Sequence, residues 1–145
     1  MSEILFFSEN IDFILKNKAI LKKWLVNSIS NEGKKHENIN IIFCNDNYLL
    51  EINKKYLNKN TLTDVITFDY SEQEKVISGD IYISYKRIVD NATKYKQTVN
   101  NELHRIIIHG ILHLIGYNDN TENQKEIMTQ KEDYYLSLLS QIRFT

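Results

Sequence analysis

Proline is absent from the 145 residues, cysteine occurs once, and the formal net charge is only -1. The missing proline, beside frequent Asn, Lys and Ile, reads as a compositional bias without functional content. A lone Cys44 cannot close an internal disulfide, and its setting in the apolar run NINIIFCN (38 to 45) predicts a buried, reduced thiol, as suits the cytoplasm. Eighteen Lys and Arg against nineteen Asp and Glu leave no strong global field for nucleic acid, so any such contact must come from local basic patches. Nowhere do eighteen apolar residues run together, and the opening MSEILFFSENIDFILKNK has no basic leader before an apolar core. Neither a membrane span nor a secretory signal is expected. Repeats, linkers and low-complexity stretches are also missing. With 42% hydrophobic and 26% charged residues, the chain is expected to form one soluble domain, 1 to 145, with a real core.

The patterning predicts an α+β fold: a mixed sheet of about four strands packed with about five helices. A short strand is expected over 3 to 7, and a helix over 11 to 29 with Ile14, Leu21, Trp24 and Leu25 at near-helical intervals and Lys16, Lys18, Lys22 and Lys23 on a solvated face. The polar segment 31 to 38, with a solvent-facing His36, separates it from a buried strand at 38 to 45. Asn45 and Asp46 can cap a helix to about Tyr56, with Leu49, Ile52 and Tyr56 on one side. After the loop LNKNTLT come strands 64 to 70 and 76 to 84, close enough to form a hairpin. Gly79 and Asp80 suggest a bend or bulge. Ser84 can cap a helix bearing Ile88, Ala92 and Tyr95. A further helix from about Asn100 is apolar almost all round, as a central buried helix should be. Thr121 with Gln124 is a capping-box pattern opening a closing helix with Ile127, Tyr134, Tyr135, Leu138 and Ile142.

The chemistry concentrates at HGILHLIGYND, residues 109 to 119. His109 and His113 are four apart, which on a helix sets both imidazoles on one face, one turn apart. Gly116 can end the helix, and the turn can return Asp119 as a third ligand at the C-terminal end of the central helix. Two histidines and a carboxylate leave a coordination position open, as in a catalytic zinc site. His104, about 140° round the helix from His109, is left as a structural or surface residue. The spacing 109, 113, 116, 119 copies the metzincin pattern H-E-x-x-H-x-x-G-x-x-H, but Gly110 stands where its general base would be. Peptide hydrolysis therefore lacks its usual base, so the same metal geometry must serve another reaction or borrow a base elsewhere, and phosphodiester cleavage is one candidate.

HGILHLIGYND closely resembles the signature H-G-x-L-H-L-x-G-Y-D-H of the YbeY family of endoribonucleases. TLTDVITF (61 to 68) is similar to that family's P-T-D-V-L-S-F, and SGDIYIS (78 to 84) to its G-D-I-x-I-S. The resemblance implies an α+β fold and a metal-dependent, single-strand-specific endoribonuclease of ribosomal RNA maturation. It also implies Zn2+ held at His109, His113 and Asp119, with single-stranded RNA, ribosomal RNA and the small ribosomal subunit as partners, and a substrate groove that includes Thr63 and Asp64. From its residues alone, Asp64 could equally bond turn amides. Two departures stand out. Asp119 occupies the place of the family's third histidine, which widens the metal choice to Mn2+ or Fe2+. Leu57 follows Tyr56 where the family has an arginine, so Lys59 or Lys55 is expected to substitute, as a point charge rather than a fork. Lys54, Lys55 and Lys59, with Lys86, Arg87, Lys94 and Lys96, form the candidate RNA-facing surface, or a merely solvated one. The rival functions are a metzincin-like metallopeptidase and a non-catalytic ribosome-assembly factor pinned by its metal.

Overall fold

In the computed structural model, which describes residues 2–59 and 63–143, period-2 burial builds the sheet and period-3.6 burial covers it. The elements are β1 (Ile4–Ser8), α1 (Lys18–Asn31), β2 (Lys35–Cys44), α2 (Asp46–Leu57), β3 (Val65–Asp69), β4 (Val76–Ser84), α3 (Tyr85–Lys94), α4 (Val99–Ile115) and α5 (Glu122–Arg143). The strands lie in the order β1-β2-β4-β3. The first two junctions are parallel and β3 runs antiparallel to β4. This is the expected α+β architecture with a mixed sheet. The middle of the anticipated loop 57 to 63, residues 60–62, lies outside the described residues.

Alternation along the strands gives the sheet two apolar faces. Ile39, Ile41 and Phe43 of β2 join Ile77, Ile81 and Ile83 of β4 in the main core with α1, α4 and α5. Cys44, Ile66, Phe68 and Tyr82 point the other way and pack under Leu49, Ile52 and Tyr48 of α2. Burial pushes the Cys44 thiol up to about 12, helped by the charges of Asp46 and Glu9, so the buried, reduced thiol expected there is also unreactive. Gly79 permits a close approach of the β3 backbone: a Cβ there would fall 2.2 Å from the Phe68 carbonyl oxygen. The bulge expected at Gly79 and Asp80 sits instead on the neighbouring strand, between His36 and Ile39 of β2.

Four helix starts follow their side-chain caps. Asn45 accepts from the Tyr48 N–H at 2.7 Å, Ser84 from Arg87 at 3.3 Å, and Thr98 from Asn101 at 3.0 Å. Thr121 and Gln124 form the reciprocal box, with the Gln124 N–H donating to Thr121 Oγ1 at 3.1 Å and Gln124 Oε1 accepting from the Thr121 N–H at 3.2 Å. Several expectations need correction. The first helix begins at Lys18, not near residue 11, because Asn10 and Asn17 both take φ of 61°, a left-handed conformation that Asn tolerates and a helix does not. Ile14 is consequently 80% exposed and not part of the helix's apolar face. The second strand starts at Lys35, so half-buried His36 lies in it and not in a loop. Tyr56 and Tyr95 are exposed rather than packed with their helices' apolar residues. The buried stripe of α5 runs through Met128, Glu132, Tyr135 and Leu139, while Ile127 and Tyr134 face outward.

Candidate metal centre

The buried middle of α4, including Leu103, Ile107, Ile108, Ile111 and Leu112, fixes the rotation of the helix. His109 and His113 then emerge together on its partly open side. His104 is buried, its ring edge-on to Trp24 with centroids 6.3 Å apart. Of the two readings given for it, structural or surface, its burial fits the first. Gly116 ends α4 at φ of 126°, a value L side chains rarely adopt. The N–H groups of Gly116 and Tyr117 both reach back to the Leu112 carbonyl, at 3.1 and 3.0 Å. That reversal returns Asp119 to the histidines: its Oδ2 lies 3.4 Å from His109 Nε2 and 3.5 Å from His113 Nε2, and the two Nε2 atoms are 2.9 Å apart. One ligand-type atom from each residue falls within 4.8 Å of the others.

The outer ring nitrogens determine what this cluster can hold. His113 Nδ1 lies 3.0 Å from the Tyr117 carbonyl, and His109 Nδ1 lies 2.6 Å from Glu132 Oε2. A carbonyl and a carboxylate only accept, so each neutral imidazole donates from Nδ1 and turns a lone pair inward at Nε2. With both imidazoles neutral, two lone pairs and a carboxylate then converge. The chemistry of this donor set fits a cation, and the orienting partners are those that metal-binding histidines generally use. The protein thus has a cluster that can hold a metal ion.

Glu132 is itself fixed by Arg105, whose Nη1 reaches Glu132 Oε1 at 2.8 Å while Nη2 reaches Asp133 at 2.6 Å. Burial pulls the His109 pKa down, but the hydrogen bond and charge of Glu132, with the charges of Asp119 and Asp64, more than offset it, so the net shift is upward. Burial and the neighbouring His109 lower that of His113, with Asp119 and the Tyr117 carbonyl opposing. The loop carrying Asp119 is anchored from outside. Tyr117 donates its hydroxyl to Glu32 at 2.6 Å, and Glu32 also accepts from Lys131 at 3.0 Å and from the Tyr135 hydroxyl.

Asp64 stands at the head of β3, its carbonyl accepting from the Ser84 N–H at 3.0 Å, and its charge is among those acting on His109. Thr63 is half-buried beside it, its hydroxyl 3.5 Å from the Val65 carbonyl. Lys55 is not brought to the histidines. It lies on α2, across the sheet from α4, with its ammonium 5.3 Å from the centroid of the Tyr56 ring. Lys59 is exposed beyond the C-cap Asn58, its N–H bonded to the Asn53 carbonyl at 3.1 Å. Arg87 of the second basic stretch is engaged internally, 2.6 Å from Asp90 and 3.2 Å from Asp46. Position 110 faces the sheet and not the cluster. A Cβ there would meet Ile81 Cγ2 at 2.7 Å, so α4 has no room for a metzincin-type base.

Residues 7–140 match the family model of endoribonuclease YbeY. The endoribonuclease YbeY of Amoebophilus asiaticus is 48% identical over 135 residues, 93% of this chain and 92% of that one. That of Karelsulcia muelleri is 53% identical over 127 residues, 88% and 89% of the two chains. The solution structure of TM1509 from Thermotoga maritima superposes with a TM-score of 0.66 at 27% identity, covering 94% of this chain and 89% of that one.

Proposed function

The chain belongs to the endoribonuclease YbeY family, and from that premise we propose that it is a metal-dependent endoribonuclease, one domain throughout, that cuts single-stranded RNA during ribosomal RNA maturation. The observation that carries this reading is the convergence of His109 Nε2, His113 Nε2 and Asp119 Oδ2 within 4.8 Å of one another. These three residues would hold a divalent ion, zinc by the match of two imidazoles and a carboxylate to its preferences, with manganese or iron also compatible. The ion supplies Lewis acidity toward a phosphoryl oxygen and toward water. The protein's own part is positional. Glu132 and the Tyr117 carbonyl hold the two imidazoles in one tautomer, and the Glu32 contact to Tyr117 holds the loop of Asp119. Asp64, whose charge acts on His109, would accept the proton of the attacking water or 2′-hydroxyl, with Thr63 next to it in the chain. Lys59 at the end of α2 is the cation left to meet RNA phosphate where Leu57 replaces the family's arginine. No helix among the described residues is long and apolar enough to cross a membrane. Ribosomal RNA and the small ribosomal subunit, the partners in this reading, would put the work in the cytoplasm.

The test is cleavage of single-stranded RNA, duplex RNA and an unfolded protein by the purified chain, with and without chelator. Chelator-sensitive cutting of single-stranded RNA alone is expected. Proteolysis without RNA cleavage would replace this reading with the peptidase. A metal that raises the melting temperature of a protein unable to cut RNA would replace it with the assembly factor.

A further inference from the structure

Across the sheet from the histidines lies a groove of about 540 Å³ between α2 and strands β3 and β4. Its walls are aromatic and touch in series. Tyr48 stacks on Tyr82 with centroids 6.3 Å apart, Tyr82 meets Phe68 edge-on at 5.9 Å, and Phe68 meets Tyr56 edge-on at 5.7 Å. Tyr70 completes the lining, and the Lys55 ammonium sits above the Tyr56 ring. Tyr56 and Tyr70 are 61% and 58% exposed, so ring area that a core would bury is here left open. Glu51 at the rim is paired with Lys54 at 3.7 Å, which leaves Lys55 as the rim's cation toward the rings.

The groove's position relates it to the metal centre. β3 is the outermost strand of the sheet and has no partner on its free edge among the described residues. Asp64 stands at its head and Phe68, four residues further along, lines the groove, while α4, which carries the histidines, packs on β3 from the other face. At a rise of about 3.3 Å per residue the two ends are ~13 Å apart along the strand. A chain leaving the metal centre can therefore pass round the free edge of β3 and reach the rings without crossing the sheet.

We propose that this groove is a nucleobase subsite, in which the single-stranded RNA substrate stacks bases on Tyr56, Phe68 and Tyr70 while Lys55 meets a phosphate. Open rings interleaved with a cation are the means by which proteins grip single strands without reading sequence, because every base has a π-face. A duplex keeps its bases stacked on one another and cannot offer them to the rings. The subsite rests on the endoribonuclease reading and adds to it a physical source of single-strand preference, separate from the metal.

The test is fluorescence anisotropy of a short, cleavage-resistant 2′-O-methyl oligoribonucleotide with the metal-loaded protein, wild type against Tyr56→Ala, Tyr70→Ala and the double variant. Both rings are largely exposed, so the variants should fold. Tyr134→Ala, an exposed tyrosine on α5, serves as control. Each groove substitution should weaken single-strand binding by about 5- to 150-fold, the range for losing one base–ring stack, with the ion content unchanged and the control at wild-type affinity. On cleavable RNA the loss should appear in KM rather than kcat. Undiminished RNA affinity in the double variant, against a wild type that binds and cuts, would overturn the subsite and leave the groove as a surface for a protein partner. A wild type that neither binds nor cuts single-stranded RNA would overturn the endoribonuclease reading and this subsite with it.

Discussion

Glu132 offers the sharpest test of how the protein holds its metal site, through the pair Glu132→Gln and Glu132→Ala. The carboxylate is buried and bridges Arg105 and His109, 2.8 Å from one and 2.6 Å from the other. Gln can still accept the His109 Nδ1 hydrogen bond but carries no charge. Ala removes the acceptor and leaves a buried N–H unsatisfied, which costs about 1–3 kcal/mol of folding stability. Arg105 keeps Asp133 as a partner, so the loss should not approach that of an orphaned buried charge. Orienting partners of this kind generally contribute 10- to 100-fold in metal affinity, and the expected order is wild type, then Gln, then Ala. Competition against a chromophoric chelator measures the affinity, and urea unfolding of the metal-free forms measures the fold. If both variants bind the ion as tightly as wild type, Glu132 does not orient His109 and the account of the donor set is wrong.

Further outcomes follow from the same geometry. Gly110→Glu should destabilise the protein by at least ~3 kcal/mol, since it overpacks fully buried Ile81 and buries an unpaired carboxylate. It should gain no activity on a casein substrate, and a folded, proteolytic variant would restore the peptidase reading. Burial raises the Glu32 pKa, but hydrogen bonds from Tyr117, Tyr135 and Lys131 outweigh it and hold the carboxyl below its ordinary value of 4.5. A depressed native pKa adds stability that is complete above the unfolded value and disappears as pH falls through the native one. The stability gap between wild type and Glu32→Gln should therefore be constant near neutrality and close below about pH 4.5, as pH-dependent urea melts can show. A gap independent of pH would mean that Glu32 is not held ionised by these partners.

Much of this was legible from the residues because local physics and tertiary demand agree. Asn45, Ser84 and Thr121 with Gln124 cap where their types require, and His109, His113 and Gly116 sit where helical geometry places them. The misjudged places are those where a long-range contact or a backbone exception decides. Asn10 and Asn17 take left-handed conformations, which displaced the start of α1 by seven residues, since apolar spacing alone carries no trace of φ. The buried register of α5 is set by packing on α1 and α4, which Ile127 and Tyr134 cannot reveal. Glu132 escaped notice because it is 23 residues from His109, although a charged residue in phase with Met128, Tyr135 and Leu139 was a readable sign of a buried partner. The aromatic groove joins α2, β3 and β4 and has no single motif to mark it.

The central claim is that the ion at His109, His113 and Asp119 is what cuts RNA. Its most direct test is to measure bound metal by mass spectrometry and single-stranded RNA cleavage on the same preparations of wild type, Asp119→Ala and Asp119→His. Wild type and Asp119→His should carry one ion per chain and cleave, whereas Asp119→Ala should lose most of both together. An alanine variant that keeps its metal, or that cuts RNA without it, would contradict the account.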